Sequence, residues 1–205
     1  MSRLTLYGWD QSTYTRSVML ALLEKGLDYT LVAVRPFDAA GLPPGYLEMQ
    51  PFGKIPVLED GGFRLYETAA ILRYLDEAFA GPALQPAEVR ARARMQQIIG
   101  ILDSYGYRAL VWDLYVNQRE AGDPAVLERG RRQGGRALDA LVALGETPFL
   151  CGAAVGLADC HLAPILRYGL EAPAGRALIE ARPAVMTWWH SILERPGWAA
   201  VLQVA

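Results

Sequence analysis

The chain is poor in cysteine, histidine and lysine. Among 205 residues there are two cysteines, two histidines and two lysines. Cys151 and Cys160 form no disulfide framework. The N-terminus enters a strand pattern at once, with no signal-peptide apolar region, so the expected location is a reducing cytoplasm. His161 and His190 stand in no HxxxH, CxxC or clustered-carboxylate spacing. No metal is therefore expected, and His161 reads as an ordinary helix residue. No apolar run approaches the roughly 20 residues of a membrane helix, so no membrane partner is expected. There is no GxGxxG and no P-loop, which leaves nucleotide binding without a motif. Apart from Lys25 and Lys54, arginine supplies every basic residue, and the net charge is −2. That balance argues against a dedicated nucleic-acid binder.

What is present is enough to fold. Hydrophobic residues make up 52% of the chain and charged ones 20%, a composition that buries a core and excludes a disordered chain. Residues 1–80 mix strands and helices, whereas 81–205 contain no convincing strand. Arg3 to Tyr7 alternates Leu4 and Leu6 with polar positions, a short strand. Gly8 to Thr13 is a loop. Thr15 to Lys25 is an amphipathic helix, with Val18 and Leu22, and Met19 and Leu23, at i, i+4, and Gly26 at its C′ position. Tyr29 to Val34 is a second strand, and two parallel strands across a helix make a right-handed βαβ unit.

Asp38 to Gly45 is a Gly/Pro-rich loop, followed by a helical turn at Gly45 to Met49. Ile55 to Glu59, Asp60-Gly61-Gly62 and Phe63 to Tyr66 read as a β-hairpin. Glu67 to Ala80 is a helix with Leu72, Leu75 and Phe79 on its apolar face. Gly81 to Pro86 is the best domain boundary. Beyond it the pattern predicts one long or kinked helix over 88–120 and another over 124–144. After a connection from Thr147 to Gly156, an apolar helix runs from Leu157 to Leu170 and carries Pro164. A last helix, Ala184 to Arg195, opens at Pro183.

Three local features carry chemistry on one reading and only structure on the other. Proline in Ile55-Pro56 cannot donate to a ladder and belongs at an edge or a strand start, where it leaves neighbouring backbone groups to an extended ligand. Glu67-Thr68 sits at a strand-to-helix junction. It is either an ordinary cap or a place where backbone N–H groups and a hydroxyl receive a carboxylate. Ser12, just ahead of the first helix, is a cap or a ligand-facing hydroxyl. Tyr105, Tyr107, Trp112 and Tyr115 share a helical segment, where packing and ligand contact are both open.

The segment YGWDQSTYTRSVMLALLEKG, then PFGKIPVLEDGGFRLYETAAILRYL, then a helical tail with GLADCHLAP, together resemble the glutathione S-transferase family across essentially the whole chain. The resemblance implies an α/β thioredoxin-like N-terminal domain (βαβ-ββα, residues 1–80) that binds glutathione. An all-α domain at 87–205 would contribute the hydrophobic substrate site. It implies a cytoplasmic detoxification enzyme, a glutathione transferase that conjugates the glutathione thiolate to a hydrophobic electrophile. Glutathione would be the co-substrate, with no metal, and the protein a homodimer. The alternatives are a non-catalytic transferase-like binding module, or a glutathione-dependent isomerase, dehalogenase or peroxidase on the same scaffold.

The run from Ser12 to Val18 looks like the serine-type pattern of the phi, tau and zeta-like classes, which puts Ser12 in the thiol-activating place. Tyr7, near the position used by tyrosine-type classes, is the rival, and Thr13 and Thr15 are weaker ones. By the same resemblance Lys54 meets the glycyl carboxylate, and Ile55 pairs its backbone with the cysteinyl part beside a cis Pro56. Glu67 and Thr68 hold the γ-glutamyl end, and the second substrate is lined by Trp9, Tyr107, Val111, Trp112 and Tyr168. The loop from Asp38 to Gly45 lacks the basic residues that phi-like members often carry there. Phe52 stands where some classes place an aromatic dimer key, and burial within its own chain is the alternative. Gly156-Leu-Ala-Asp159 resembles the family's helix-capping box, with glycine in place of the hydroxyl, and Asp159 reads as structural.

Overall fold

Four strands pair in the order β2-β1-β3-β4, and the register follows from alternation along each strand. The computed structural model describes residues 4–39, 41–119 and 122–204. The expected strand start at Arg3 and helix end at residue 120 lie outside the described residues. The chain divides into two compact units, the first ending at Ala83 and the second beginning at Leu84.

In the first unit β1 (Leu4–Gly8) pairs in parallel with β2 (Tyr29–Ala33) and antiparallel with β3 (Val57–Asp60). Leu6 faces Leu58, which faces Leu65 of β4 (Phe63–Tyr66); one residue along, Tyr7 faces Val57, which faces Tyr66. Successive side chains point to opposite faces, so these are two separate rows. Leu6 and Leu58 are buried. Tyr7, Ile55 and Tyr66 pack instead against a cluster of Val34, Tyr46 and Val57. Gly61 and Gly62, both at positive φ, close the β3–β4 hairpin in two residues, as a tight primed turn requires.

Helix α1 (Thr13–Lys25) starts two residues earlier than the periodicity indicates, because Ser12 itself is the N-cap. It ends at Gly26 in the left-handed conformation (φ 64°), with Leu27 N–H bonded back to the Leu22 carbonyl at 2.9 Å, a Schellman closure. After the short α2 (Tyr46–Met49), β3 begins at Val57 rather than Ile55. Pro56 has no N–H to offer the ladder, so the strand forms only beyond it. Helix α3 (Thr68–Ala78) packs against α1. Buried Lys25 ties the two helix ends together, with its ammonium donating to the Asp76 carbonyl (3.2 Å), the Asp76 carboxylate (3.3 Å) and the Pro82 carbonyl (3.2 Å).

The second unit is helical; among the described residues its only β interaction is a bridge between Phe149 and Gly152. The long helix expected over 88–120 is one right-handed run. It comprises α4 (Val89–Ile101), π-helical segments Leu102–Gly106 and Arg108–Val116, and α5 (Asn117–Arg119). Helix α6 (Pro124–Leu144), capped by Asp123, packs closely on it. A Cβ added to Gly130 would lie 2.7 Å from Leu114 Cδ2. Helix α7 (Leu157–Glu171) buries every side chain but Arg167 and Glu171.

Asp159, inside α7, is the structural cap expected of it. Its carboxylate accepts from Gly156 N (2.7 Å), Leu150 N (2.9 Å) and Trp188 Nε1 (2.7 Å). Buried His161 is more than a plain helix residue, since its Nε2 meets Asp103 Oδ1 at 2.8 Å. Two short helices escape the sequence pattern: α8 (Pro173–Glu180) and α10 (Trp198–Leu202), on either side of α9 (Pro183–Leu193). Both are too short for a helical period to show. Among the described residues no helix is long and apolar enough to cross a membrane, and no group of three or more potential metal ligands occurs.

Candidate active site

The register brings three loops to one end of the sheet. Tyr7, Val57 and Tyr66 lie side by side across β1, β3 and β4. Strand β1 runs toward Gly8 and the loop that ends at Ser12. Strand β3 comes from Ile55-Pro56, and β4 runs into Glu67-Thr68. The three polar features of the sequence, scattered over more than fifty residues, therefore share one edge of the first unit.

Each is held by local chemistry. Ser12 N–H closes a turn onto the Trp9 carbonyl (2.8 Å), and the Ser12 carbonyl receives Arg16 N–H (2.9 Å), the first turn of α1. The Ser12 hydroxyl, half-buried, accepts the Thr15 amide at 3.4 Å. Arg16, fully buried, donates from Nε to the Asp10 carbonyl at 2.7 Å and pins the loop from below. Thr15 is also fully buried, and its Oγ1 makes no hydrogen bond. The first N–H groups of a helix have no intrahelical partner, and the helix dipole makes that end positive. An anionic sulfur beside Ser12 would meet both.

The loop before β3 is built around two buried polar groups. Gln50 Oε1 accepts Phe52 N–H at 2.6 Å. The Tyr46 hydroxyl donates to the Lys54 carbonyl at 2.7 Å, and burial pushes this phenol up to about 12, so it stays a donor. The Ile55-Pro56 bond is cis. Ile55 is half-buried, Pro56 buried, and the Lys54 side chain exposed. Phe52 is 67% exposed with its ring edge-on to Tyr66 at 6.3 Å, so burial inside its own chain does not occur.

Glu67 adopts φ 70°. For a non-glycine residue that conformation is costly, roughly 1–3 kcal/mol, and marks ligand clamps and switch points. It turns the chain sharply so that Thr68, 8% exposed, becomes the first residue of α3.

The aromatic candidates divide. Trp9 is half-buried beneath the Arg35 guanidinium, 5.7 Å from the ring centre. In the second unit Tyr107 and Trp112 are joined by a hydrogen bond, and burial pushes the Tyr107 phenol up. Val111 is buried between them in sequence. Tyr168 packs on Tyr115, with ring centres 4.7 Å apart. The expected lining set holds Tyr107, Trp112 and Tyr168, and Tyr115, noted on the same helical segment as Tyr107, is the ring that Tyr168 packs on. Sequence reasoning passed over Arg16, Tyr46 and Gln50. A lone arginine on a buried helix face was the one available signal.

The chain matches the family model described as "Glutathione S-transferase, N-terminal domain" over residues 6–83, and that described as "Glutathione S-transferase, C-terminal domain" over 107–196. It is 33% identical to Glutathione S-transferase F10 of Arabidopsis thaliana, over 97% of this chain and 95% of the relative. It is 32% identical to Glutathione S-transferase 3 of Zea mays, over 96% and 91%. Its fold is similar to the crystal structure of glutathione transferase F7 from Populus trichocarpa, with TM-score 0.84, 29% identity and 98% of each chain covered. It is similar also to the theta class glutathione S-transferase from Xanthomonas axonopodis pv. citri solved with glutathione bound, with TM-score 0.83, 28% identity, and 100% and 99% covered.

Proposed function

The chain belongs to the glutathione S-transferase family and is a glutathione transferase, and we propose that Ser12 is the residue that activates the glutathione thiol. The observation that carries this assignment is the shared end of the sheet, where β1 runs toward Ser12, β3 comes from Ile55-Pro56 and β4 runs into Glu67-Thr68. A cysteine thiol near pKa 8.5 is mostly protonated at neutral pH. Lowering it by one to two pKa units is worth roughly 1.4–2.7 kcal/mol. An O–H bond donated by Ser12 and the positive end of α1 supply stabilisation of that order. Ser12 acts as a donor and keeps its proton; the glutathione thiol loses its own to solvent. Tyr7 is the weaker assignment, because its ring packs among Val34, Tyr46 and Val57.

In this reading the cysteinyl backbone of glutathione pairs with Ile55 beside Pro56. Its γ-glutamyl carboxylate sits on Thr68 and the N-terminus of α3, with Glu67 toward the ammonium. The exposed Lys54 ammonium meets the glycyl carboxylate. The thiolate then attacks an electrophilic carbon of a hydrophobic second substrate. A C–S bond forms, and a leaving group departs with its bonding pair, a strained ring opens and its oxygen takes a proton from water, or the thiolate adds to a C=N bond whose nitrogen takes the electron pair and a proton from water. Trp9, Tyr107, Val111, Trp112 and Tyr168 are the proposed lining residues. Detoxification in the cytoplasm, and a homodimer in which exposed Phe52 inserts into the second subunit, complete the proposal. Retention on immobilised glutathione, together with turnover on a panel of halogenated aromatics, epoxides, isothiocyanates and organic hydroperoxides, tests it. Retention without any turnover would favour the non-catalytic module.

A further inference from the structure

The sheet carries a fourth feature at the end where the three loops meet. Strand β2 is parallel to β1, and Val34 N–H donates to the Gly8 carbonyl at 2.9 Å. The pairing therefore continues past Ala33 and delivers Arg35 beside the loop that ends at Ser12. The Arg35 guanidinium carbon lies 5.7 Å from the centre of the Trp9 ring, within the range of a cation–π contact. The Trp9 carbonyl is in turn held by the Ser12 amide at 2.8 Å. Cation, ring and candidate activating residue belong to one short network.

The other described cations of the first unit are mostly spoken for. Lys25, Arg64 and Arg73 pair with Asp76, Glu59 and Glu77, and Arg16 is buried against the Asp10 carbonyl. Lys54 and Arg35 are exposed, and among the described residues Arg35 forms no ion pair. Strand order decides what each can meet. In the proposed binding mode glutathione spans Thr68 after β4 and Ile55 before β3, and Lys54 on that side takes its glycyl carboxylate. Strand β2 lies across β1 from β3, so Trp9 and Arg35 flank Ser12 on the side that the tripeptide leaves open. Neighbouring strands stand about 4.8 Å apart, a gap that one substituted benzene ring bridges. A guanidinium offers its N–H donors in a rigid plane and takes a carboxylate through two of them at once.

We propose that Arg35 selects the second substrate: an aromatic electrophile with a carboxylate across the ring from its leaving group, its ring beside Trp9 and its carboxylate on Arg35. The proposal rests on the glutathione assignment and names the substrate class for it. The thiolate attacks the ring carbon, a C–S bond forms, the halide leaves with the carbon–halogen bonding pair, and the carboxylate stays ionised throughout. The test is turnover of 4-chloro-3,5-dinitrobenzoate against the neutral 4-chloro-3,5-dinitrobenzamide by the full-length protein. Each kcat/KM is divided by the uncatalysed rate constant with glutathione, which removes the difference in ring activation. The acid should lead the amide about fivefold, the upper size of an exposed ion pair, and added salt should shrink that lead. Arg35→Gln should erase the lead and Arg35→Lys should keep part of it, with thermal melts showing both folded and calorimetry showing glutathione affinity within twofold of wild type. Equal efficiency on the two compounds, a folded Arg35→Gln that keeps the lead, or turnover of neither compound by a protein that binds glutathione would overturn the proposal. So would a loss of glutathione affinity in Arg35→Gln, which would put the guanidinium on the glycyl carboxylate. A wild type that does not bind glutathione would overturn the glutathione assignment and this proposal with it.

Discussion

The Ser12 hydroxyl oxygen lies 3.4 Å from the Thr15 backbone nitrogen, long for a helix cap. The bond is weak, and Ser12 uses its oxygen as acceptor there, which leaves its O–H to donate elsewhere. Ser12→Ala should therefore cost little stability, at the low end of the roughly 0.5–2 kcal/mol of a lost cap. Turnover should fall by about 10²–10³ if the hydroxyl is the main stabiliser of the thiolate. Ultraviolet titration of bound glutathione should show a raised thiol pKa. Tyr7→Phe should leave that pKa where it was; the reverse pattern would assign the protein to the tyrosine type.

Thr68 opens α3 with its side chain buried. Thr68→Val keeps the shape and removes the hydroxyl. Glutathione affinity should fall by roughly twofold to tenfold, the size of one lost hydrogen bond of 0.5–1.5 kcal/mol. Unchanged affinity by calorimetry sinks the γ-glutamyl assignment.

Gly8 ends β1 against Thr15. A Cβ there would lie 2.6 Å from Thr15 Oγ1 and 2.8 Å from its Cγ2, and Thr15 is fully buried and cannot swing away. Gly8→Ala should destabilise by about 1–3 kcal/mol, the usual cost of overpacking. Adding Thr15→Ala removes both clashing atoms, so the double variant should recover much of the loss in urea unfolding. Additive losses would show that the two residues do not compete for space.

Burial pushes the Asp159 carboxyl up to about 6, although its N–H donors pull the other way. A carboxyl whose folded pKa lies above the unfolded value stabilises most when protonated. Its contribution is full below the ordinary value of 3.8 and is lost as pH rises to about 6. Compared with Asp159→Asn, the wild type should lose about 2 kcal/mol of stability between pH 4 and pH 6. A pH-independent difference between the two in chemical denaturation would mean that the donors win. Asp159→Ala should be worse at every pH, because the Leu150 and Gly156 amides and the Trp188 indole would be left unmet.

Phe52 is 67% exposed on a loop braced by Gln50. Burying one phenylalanine in a partner is worth roughly 1.5–3 kcal/mol. Phe52→Ser should raise the monomer fraction in sedimentation at low concentration; a monomeric wild type ends the idea.

The sequence alone determined whatever acts within a few residues. Gly26 as a left-handed stop, the glycine turn at Gly61-Gly62 and the alternation around Leu6 are decided by backbone sterics and by bonds to near neighbours. Even there the proline rule moved the start of β3 from Ile55 to Val57, because one missing N–H outweighs the β-propensity of the residue before it. Tertiary structure decided what depends on distant segments meeting. Tyr7 beside Val57 beside Tyr66 gathers the three loops of the candidate site, and nothing local to Ser12, Pro56 or Thr68 encodes that register. Lys25 ends the first amphipathic helix in sequence, and it is buried because α3 brings Asp76 to it. Tyr168 meets Tyr115 because the packing of α7, rather than the spacing of aromatics along the chain, brings the two rings together. Burial and pairing across tens of residues are collective outcomes of chain packing, so they become readable only once the whole fold has closed.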